Sequence, residues 1–236
     1  MKRTIRLFAI IALMIASVSA FAQKPFAGKI TFEVAAEGIS DPNIAAELAE
    51  QTVEYTVMGN NSRMDLSIGI DMSIISNGNA KTYTILFNIP GYGKYYIQQK
   101  AEDIQKNQAT KKYDYKYTGE EKTISGYKCQ KVIMTATDLE TDEENVMELW
   151  VTTELGLGDD INFYTHPNLK GYPLSIKQTQ EVNGEMITTI TTATKITPDK
   201  KVKSTLFLMP SDAKSFEEAP AELQQMLGGL GGDDEE

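Results

Sequence analysis

The chain has 236 residues and carries 23 basic against 33 acidic side chains, for a net charge of −10. This acidic balance argues against a nucleic-acid partner and against an anionic membrane surface, because both repel negative charge. One Cys and one His exclude an internal disulfide and leave no ligand set for a structural zinc ion.

The first 22 residues have the three parts of a secretory signal peptide. A basic start is followed by an apolar run over 7–18 and by the small residues of a cleavage site at 20–22. The apolar run is too short to span a bilayer, which needs about 20 residues. We therefore expect an exported protein, periplasmic or secreted, that is cleaved after Ala22. No Cys follows that site, so we expect no stable membrane anchor.

The next part of the chain alternates between apolar and polar residues, which is typical of strands with one buried face. Strands are predicted at 28–36, 52–58, 62–68, 71–76, 81–88 and 94–99. The sequence Ser40-Asp41-Pro42 predicts a helix over 41–51, because Pro is favoured in the first helical turn. Asn77-Gly78 predicts a tight hairpin. The polar segment 101–109 fits either a surface helix or a loop.

The second half continues the β pattern. Strands are predicted at 113–117, 127–137, 145–153, 171–182 and 185–196, and 206–210 is predicted as the last strand. Asn183-Gly184 predicts a second tight hairpin, and 220–227 fits two helical turns. The domain organisation is then a signal peptide over 1–22, a single β-rich domain over 23–212, and a flexible, glycine-rich, acidic tail over 213–236.

These elements predict a mainly β fold with minor α content. About ten strands in hairpin order favour a curved antiparallel sheet, a half-barrel, with one or two covering helices. Its apolar side would form a wall, for which the candidates are Ile30, Phe32, Tyr55, Met64, Leu66, Leu149 and Trp150. Candidate lid residues are Ile44, Leu48 and Ile104. The same alternation would equally build a closed core, so an open cavity and a closed core both remain possible.

The residues that most often carry chemistry are few. Cys129 lies within a predicted strand, and we interpret it as a buried structural residue. His166 precedes Pro167, which favours an extended loop, and we expect it to be solvated. No nucleophile-elbow sequence occurs in the chain. We therefore expect no catalytic residue, no metal ligand and no cofactor.

Three segments in order carry a resemblance to a known family: 122–131, 147–155 and 171–176, ahead of a closing Phe-Leu-Met-Pro at 207–210. Together they resemble the exported domain-of-unknown-function 4412 family over roughly residues 26–212. The resemblance implies a curved antiparallel sheet similar to the lipoprotein-carrier (LolA-like) superfamily. Members of that superfamily hold acyl chains between the concave sheet and its covering helices. The family has no established activity, so the resemblance implies no catalytic residue.

Three functions remain as hypotheses. The first is a periplasmic binder or carrier of a lipid or another apolar ligand. The second is an interaction or scaffold protein of the envelope that acts through a sheet edge or the acidic tail. The third and least favoured is a hydrolase, because the acidic runs lie in predicted loops and show no paired geometry.

Overall fold

A computed structural model describes residues 26–40, 52–67, 70–182 and 184–227. In these ranges the strands are β1 Ala27–Glu37, β2 Thr52–Met58, β3 Asn61–Ser67, β4 Asp71–Asn77, β5 Thr82–Ile89, β6 Gly93–Gln99, β7 Lys111–Ile124, β8 Tyr127–Asp138, β9 Glu144–Thr152, β10 Tyr172–Val182, β11 Glu185–Pro198 and β12 Lys214–Ser215. The helices there are α1 Ala101–Ala109 and α2 Ala221–Leu227, and 3-10 turns occur at Ser204–Phe207 and Phe216–Glu218. The predicted signal peptide, the 41–51 helix with Ile44 and Leu48, and the end at 228–236 lie outside the described residues.

All twelve strands belong to one sheet, in the order β12-β6-β5-β4-β3-β2-β1-β11-β10-β9-β8-β7. Neighbouring strands are antiparallel, except that β12 pairs with β6 in parallel. The predicted mainly β fold with a curved antiparallel sheet is confirmed.

The sheet bends at three irregularities in its register. They lie between Thr31 and Phe32 in β1, between Pro173 and Ser175 in β10, and between Tyr117 and Glu121 in β7. A β-bulge bends its strand and increases the local twist, so bulges spread along the sheet help it to curl. The curled sheet does not close, because β12 and β7 are its two unpaired edges in the described residues.

Helix α1 bridges the two ends of the curled sheet. It connects β6, next to one edge, with β7 at the other edge. Nine helical residues span only about 13 Å. The end of β6 and the start of β7 must therefore lie close together, at about the length of this helix. Asp103 accepts a hydrogen bond from the backbone N–H of Lys100 at 3.1 Å and fixes the start of the helix. The polar segment 101–109, which fitted a helix or a loop, is therefore a helix.

The register separates the two faces of the sheet. Ile176 pairs with Leu149 on one side and with Thr191 on the other, and Thr191 pairs with Val34. Paired residues point to the same side of a sheet, and Phe32 lies two residues before Val34 in β1, so all these side chains share one face. We call it the inner face. Buried apolar residues on this face form a cluster around Phe87 and Tyr95 towards one end of the sheet. Towards the other end, a second cluster joins the strand residues Val132, Met134, Leu149 and Val151 with Leu169 of the connection between β9 and β10.

The outer face is crossed by the chain that follows β11. Phe207 in the 3-10 turn is 2% exposed, whereas Leu206 and Leu208 beside it are 41% and 55% exposed. Arg63 of β3 donates a hydrogen bond to the carbonyl of Leu206 at 3.1 Å, and Asn77 of β4 donates one to Phe207 at 3.4 Å. The predicted strand over 206–210 is therefore wrong, because one buried anchor and side-chain hydrogen bonds hold this segment rather than a strand partner.

The chain after residue 212 packs on the sheet. Strand β12 pairs with β6, and Leu223 of α2 is 2% exposed in the cluster around Phe87 and Tyr95. The sequence predicts a flexible tail over 213–236, but 214–227 belongs to the folded domain because its apolar residues cover the end of the inner face. The two helical turns predicted at 220–227 are present as α2.

None of the helices in the described ranges has the length and apolar character needed to cross a membrane.

Candidate ligand-binding cavity

The connection between β9 and β10, residues 153–171, covers the middle of the inner face. We call it the β9–β10 loop. Its buried residues are Leu155, Ile161, Asn162, Phe163, His166, Pro167 and Leu169. Leu155 and Ile161 belong to the central core cluster with Ile30 and Phe32, while Leu169 joins the cluster around Leu149. The loop is thus a structured cover that joins two parts of the core.

The start of the loop docks on the β2–β3 turn. The backbone N–H of Gly158 donates to the carbonyl of Gly59 at 3.1 Å, and that of Asp160 donates to Oδ1 of Asn60 at 3.2 Å. A side chain at position 158 would collide with Asn60, since a Cβ there would overlap its amide group. Glycine at this position therefore leaves Asn60 in the place from which it accepts the hydrogen bond of Asp160.

The middle of the loop is held by elements from both ends of the sheet. Gln108 of α1 donates a hydrogen bond to the carbonyl of Phe163 at 2.6 Å, and the Tyr115 hydroxyl of β7 donates one to Pro167 at 2.9 Å. The ring of Tyr164 stacks on Tyr83 of β5. Because β5 and β7 belong to opposite halves of the sheet, the loop lies inside its curve.

A cavity of about 180 Å³ remains between the loop and the inner face. Its apolar and aromatic lining consists of Phe32, Tyr55, Met64, Ile74, Tyr83, Ile161, Tyr172, Pro173 and Ile176. Phe32 and Tyr55 meet edge to face, with ring centroids 5.6 Å apart. Strands β1 to β5 together with β10 and β11 form the floor, and the β9–β10 loop forms the roof.

Several uncharged polar groups also line the cavity: Ser62, Ser76, Asn162, Thr165, His166 and Thr191. Ser62 and Ser76 are directly paired across β3 and β4. Nδ2 of Asn162 donates to the carbonyl of Gly171 at 2.6 Å, which fixes this side chain in the roof. Nδ1 of His166 lies 2.9 Å from the Thr165 hydroxyl. The cavity is thus apolar with a few fixed hydrogen-bonding groups.

Burial keeps the titratable groups of the cavity neutral. It lowers the pKa of His166 to about 4 and raises the pKa of Tyr83 to about 12. It also raises the pKa values of Tyr55 and Tyr172 above their usual range. No Asp, Glu, Lys or Arg is among the described lining residues. The cavity therefore carries no formal charge at neutral pH.

The structure brings together three of the wall candidates from the sequence. Phe32, Tyr55 and Met64 line the cavity. Ile30 and Leu149 lie on the same face but are fully buried in closed core clusters. Both possibilities are therefore present in part: some of the inner face is closed core, and a small cavity remains beside it.

The other described candidates lie elsewhere. Trp150 follows Leu149 in the same strand and points to the outer face, so both cannot line one cavity. Lys122 lies over its ring at 4.1 Å. Leu66 lines an open cleft with charged residues such as Arg63 and Asp65. Ile104 is buried in α1 beside the β9–β10 loop, next to a polar cleft.

The loop residues Ile161, Asn162 and His166 were missed as cavity residues. The segment 161–169 alternates in no regular way, and the predicted solvated position of His166 is wrong, since it is 7% exposed. One feature of the sequence could have indicated a buried loop. This connection is too long for a simple turn and has an apolar residue every few positions. Cys129 is buried, as predicted, and burial raises the pKa of its thiol.

The described residues contain no cluster of three or more His, Cys, Asp or Glu side chains that could hold a metal ion. Three further clefts have charged residues in their lining, such as Glu121 and Lys128 of β7 and β8 or Asp159 and Lys170 near α1. Of these four sites, the cavity under the β9–β10 loop is the one whose lining carries no charged side chain.

Comparisons with known proteins identify a family and a fold. The family model described as "Domain of unknown function (DUF4412)" matches residues 36–166. No curated protein sequence gives a significant match. Two structures of PNGF-II, in space groups P21 and C2, are similar with TM-scores of 0.52 and 0.54 and identities of 15% and 13%. Each match covers 86% of this chain and 33% of PNGF-II.

A crystal structure of MucB is also similar, with a TM-score of 0.30 and 11% identity over 82% of this chain and 60% of MucB. That score is too low to support an argument about this chain. The chain spans about a third of the length of PNGF-II. At these identities the similarity to PNGF-II shows a shared fold and nothing about activity.

Proposed function

The chain belongs to the DUF4412 family of domains of unknown function, and we propose from its cavity that it is an exported protein that binds a small apolar ligand. The ligand occupies the space between the inner face and the β9–β10 loop. The protein acts as a binder or carrier rather than as an enzyme.

The mainly apolar and uncharged cavity is the observation that carries this proposal. Its volume of about 180 Å³ lies below the range of about 300–1,000 Å³ for drug-sized ligands. It exceeds the roughly 150 Å³ of an engineered apolar cavity that binds benzene. The size therefore suits a ring-sized ligand or the end of an acyl chain.

A longer acyl chain requires the β9–β10 loop to move. Its polar attachments include single hydrogen bonds from side chains such as Gln108 and Tyr115, each worth about 1 kcal/mol. Its buried side chains Leu155, Ile161 and Leu169 would also have to leave the core, which costs more. The cavity as it stands therefore favours a ring-sized ligand or the end of a chain over a whole acyl chain.

The N-terminal sequence supports a site of action outside the cytoplasm. Its basic start, apolar run and Ala20-Phe21-Ala22 site support export and cleavage after Ala22. A binder of apolar ligands outside the cytoplasm could hold poorly soluble molecules in an aqueous compartment.

Edge strand β7 favours a second candidate function, an interaction protein of the envelope. Within the described residues, β7 pairs with β8 alone and leaves its other side free for another strand. Its charged residues Lys112, Asp114 and Lys116 are typical of edges protected against such pairing, so this function ranks second. The acidic end at 228–236 lies outside the described residues.

Calorimetric titration of the protein with toluene tests the first proposal. Thr191→Phe fills the cavity, because Thr191 lines it. Thr194→Phe is the matched control, since Thr194 lies on the same strand and is exposed. We expect saturable binding to the unchanged protein and to the Thr194 variant, and weakening of at least about tenfold in the Thr191 variant. Equal affinity in all three proteins, or no binding to any, would contradict the proposal.

A further inference from the structure

We propose that the cavity selects an uncharged ligand, a ring-sized apolar group that carries one hydroxyl bound by Ser76. This inference rests on the proposed function and names the chemical class of the ligand. It excludes a free carboxylate or a phosphate from the cavity itself.

Ser76 supplies the hydrogen bond. It is 8% exposed and lines the cavity. Its hydroxyl makes no hydrogen bond to another described residue, and the neighbouring strand brings Ser62 directly opposite. The hydroxyl is not among the fully buried unpaired atoms, so it is accessible from the cavity. A ligand oxygen that accepts its hydrogen therefore adds a hydrogen bond to the complex.

Asn162 supplies the complementary acceptor in the roof. It is 3% exposed, and its Nδ2 group is already used by the carbonyl of Gly171. With Nδ2 held in this way, Oδ1 remains as a hydrogen-bond acceptor. No described residue donates a hydrogen bond to it. A ligand hydroxyl, which both accepts and donates, matches the pair formed by Ser76 and Asn162.

The charge of the site excludes anions. No cationic side chain is among the described lining residues. Lys81 and Lys170 line a separate cleft beside α1, where they pair with Asp160 and Asp159. A carboxylate in the cavity would lose its water without gaining a counter-charge, which is strongly unfavourable.

Binding of phenol, toluene and benzoate at neutral pH tests this inference, because the three share one ring and differ in a single group. We expect phenol to bind about fivefold more tightly than toluene, and benzoate to bind at least about tenfold more weakly than phenol. Ser76→Ala should remove most of the preference for phenol over toluene. Ser67→Ala, an exposed serine whose hydroxyl donates to Asp71 at 2.9 Å, should preserve it.

The outcomes separate this inference from the proposed function. If toluene and phenol bind but benzoate binds as tightly as phenol, or if Ser76→Ala leaves the preference for phenol unchanged, the selection for an uncharged hydroxyl is wrong while ligand binding stands. If none of the three probes binds the folded protein, the proposed function fails and this inference fails with it.

Discussion

The ring of Tyr164 in the β9–β10 loop stacks on the ring of Tyr83 in β5, with centroids 3.7 Å apart and planes inclined by 6°. This contact fastens the cover of the cavity to the sheet. Stacked aromatic pairs contribute about 0.5–1.5 kcal/mol beyond the burial of their area. Loss of this stacked pair should therefore loosen the loop and make the cavity more accessible.

Replacement of Tyr164 by alanine should loosen the loop. We expect a loss of about 1 kcal/mol in the free energy of unfolding and faster hydrogen exchange of the amides at 158–170. Hydrogen-exchange mass spectrometry of the loop peptides is the measurement. Tyr92→Ala is the control, because Tyr92 is 47% exposed in the β5–β6 turn. Unchanged exchange in the Tyr164 variant would show that the stacked pair does not hold the loop.

His166 should make the protein less stable as the pH falls. Burial lowers its pKa from 6.5 to about 4, so the unfolded chain binds a proton between these values and the folded protein does not. The associated stability is complete above pH 6.5 and decreases as the pH falls toward 4. The other titratable groups that line the cavity, Tyr55, Tyr83 and Tyr172, stay neutral throughout this range.

Urea unfolding at several pH values measures this effect. Between pH 7.5 and 5 we expect the free energy of unfolding to fall by about 2 kcal/mol. His166→Gln should flatten the dependence in this range, because His166 is the one histidine of the chain. An equal slope in both proteins would mean that His166 titrates normally and is not buried.

Leu223 should contribute strongly to stability, although the sequence placed it in a flexible tail. It is 2% exposed against Phe87 and Tyr95. We expect Leu223→Ala to lower the free energy of unfolding by about 2 kcal/mol or more, as for other buried leucines. Leu208→Ala is the matched control, because Leu208 is 55% exposed. Similar small losses in both variants would show that α2 is only loosely attached.

Trp150 should not respond to a cavity ligand. It lies on the outer face, with Lys122 over its ring at 4.1 Å and its indole N–H donating to Glu148 at 3.0 Å. We expect saturating toluene to leave the Trp150 emission unchanged, whereas Lys122→Ala should alter it by removing the cation. If the Trp150 emission changed with toluene concentration and gave the same affinity as calorimetry, Trp150 would lie at the binding site. That result would contradict the strand register that places it on the outer face.

Most of the sheet could be predicted from the sequence, because a strand with one buried face carries its own two-residue period. The alternation of Ile30 and Phe32, and of Tyr55 and Val57, indicated their strands directly. The adjacent candidates Leu149 and Trp150 show the limit of that reading. Both are apolar, but one strand places them on opposite faces, and Trp150 packs on the outer face against Lys122 and the central core cluster.

The cavity could be predicted only in part. The floor residues Phe32, Tyr55 and Met64 belong to periodic strands, whereas the roof residues Asn162 and His166 belong to a loop. The loop is held by long-range contacts such as the 2.6 Å bond from Gln108 to the carbonyl of Phe163. Such contacts join segments distant in the sequence and leave no local pattern. Phe207 is a second example. With Leu206 and Leu208 beside it, the segment resembles a strand in the sequence, but only Phe207 of the three is buried against the sheet.

The position of the bound ligand tests the central claim most directly. In protein labelled at the methionine methyl groups, we predict that toluene shifts the resonance of Met64 and gives intermolecular nuclear Overhauser effects to its methyl group, because Met64 lines the cavity. Met186, which is 60% exposed, should show neither effect. Saturable binding that leaves Met64 unperturbed, or that perturbs both methionines equally, would contradict a ligand site beneath the β9–β10 loop.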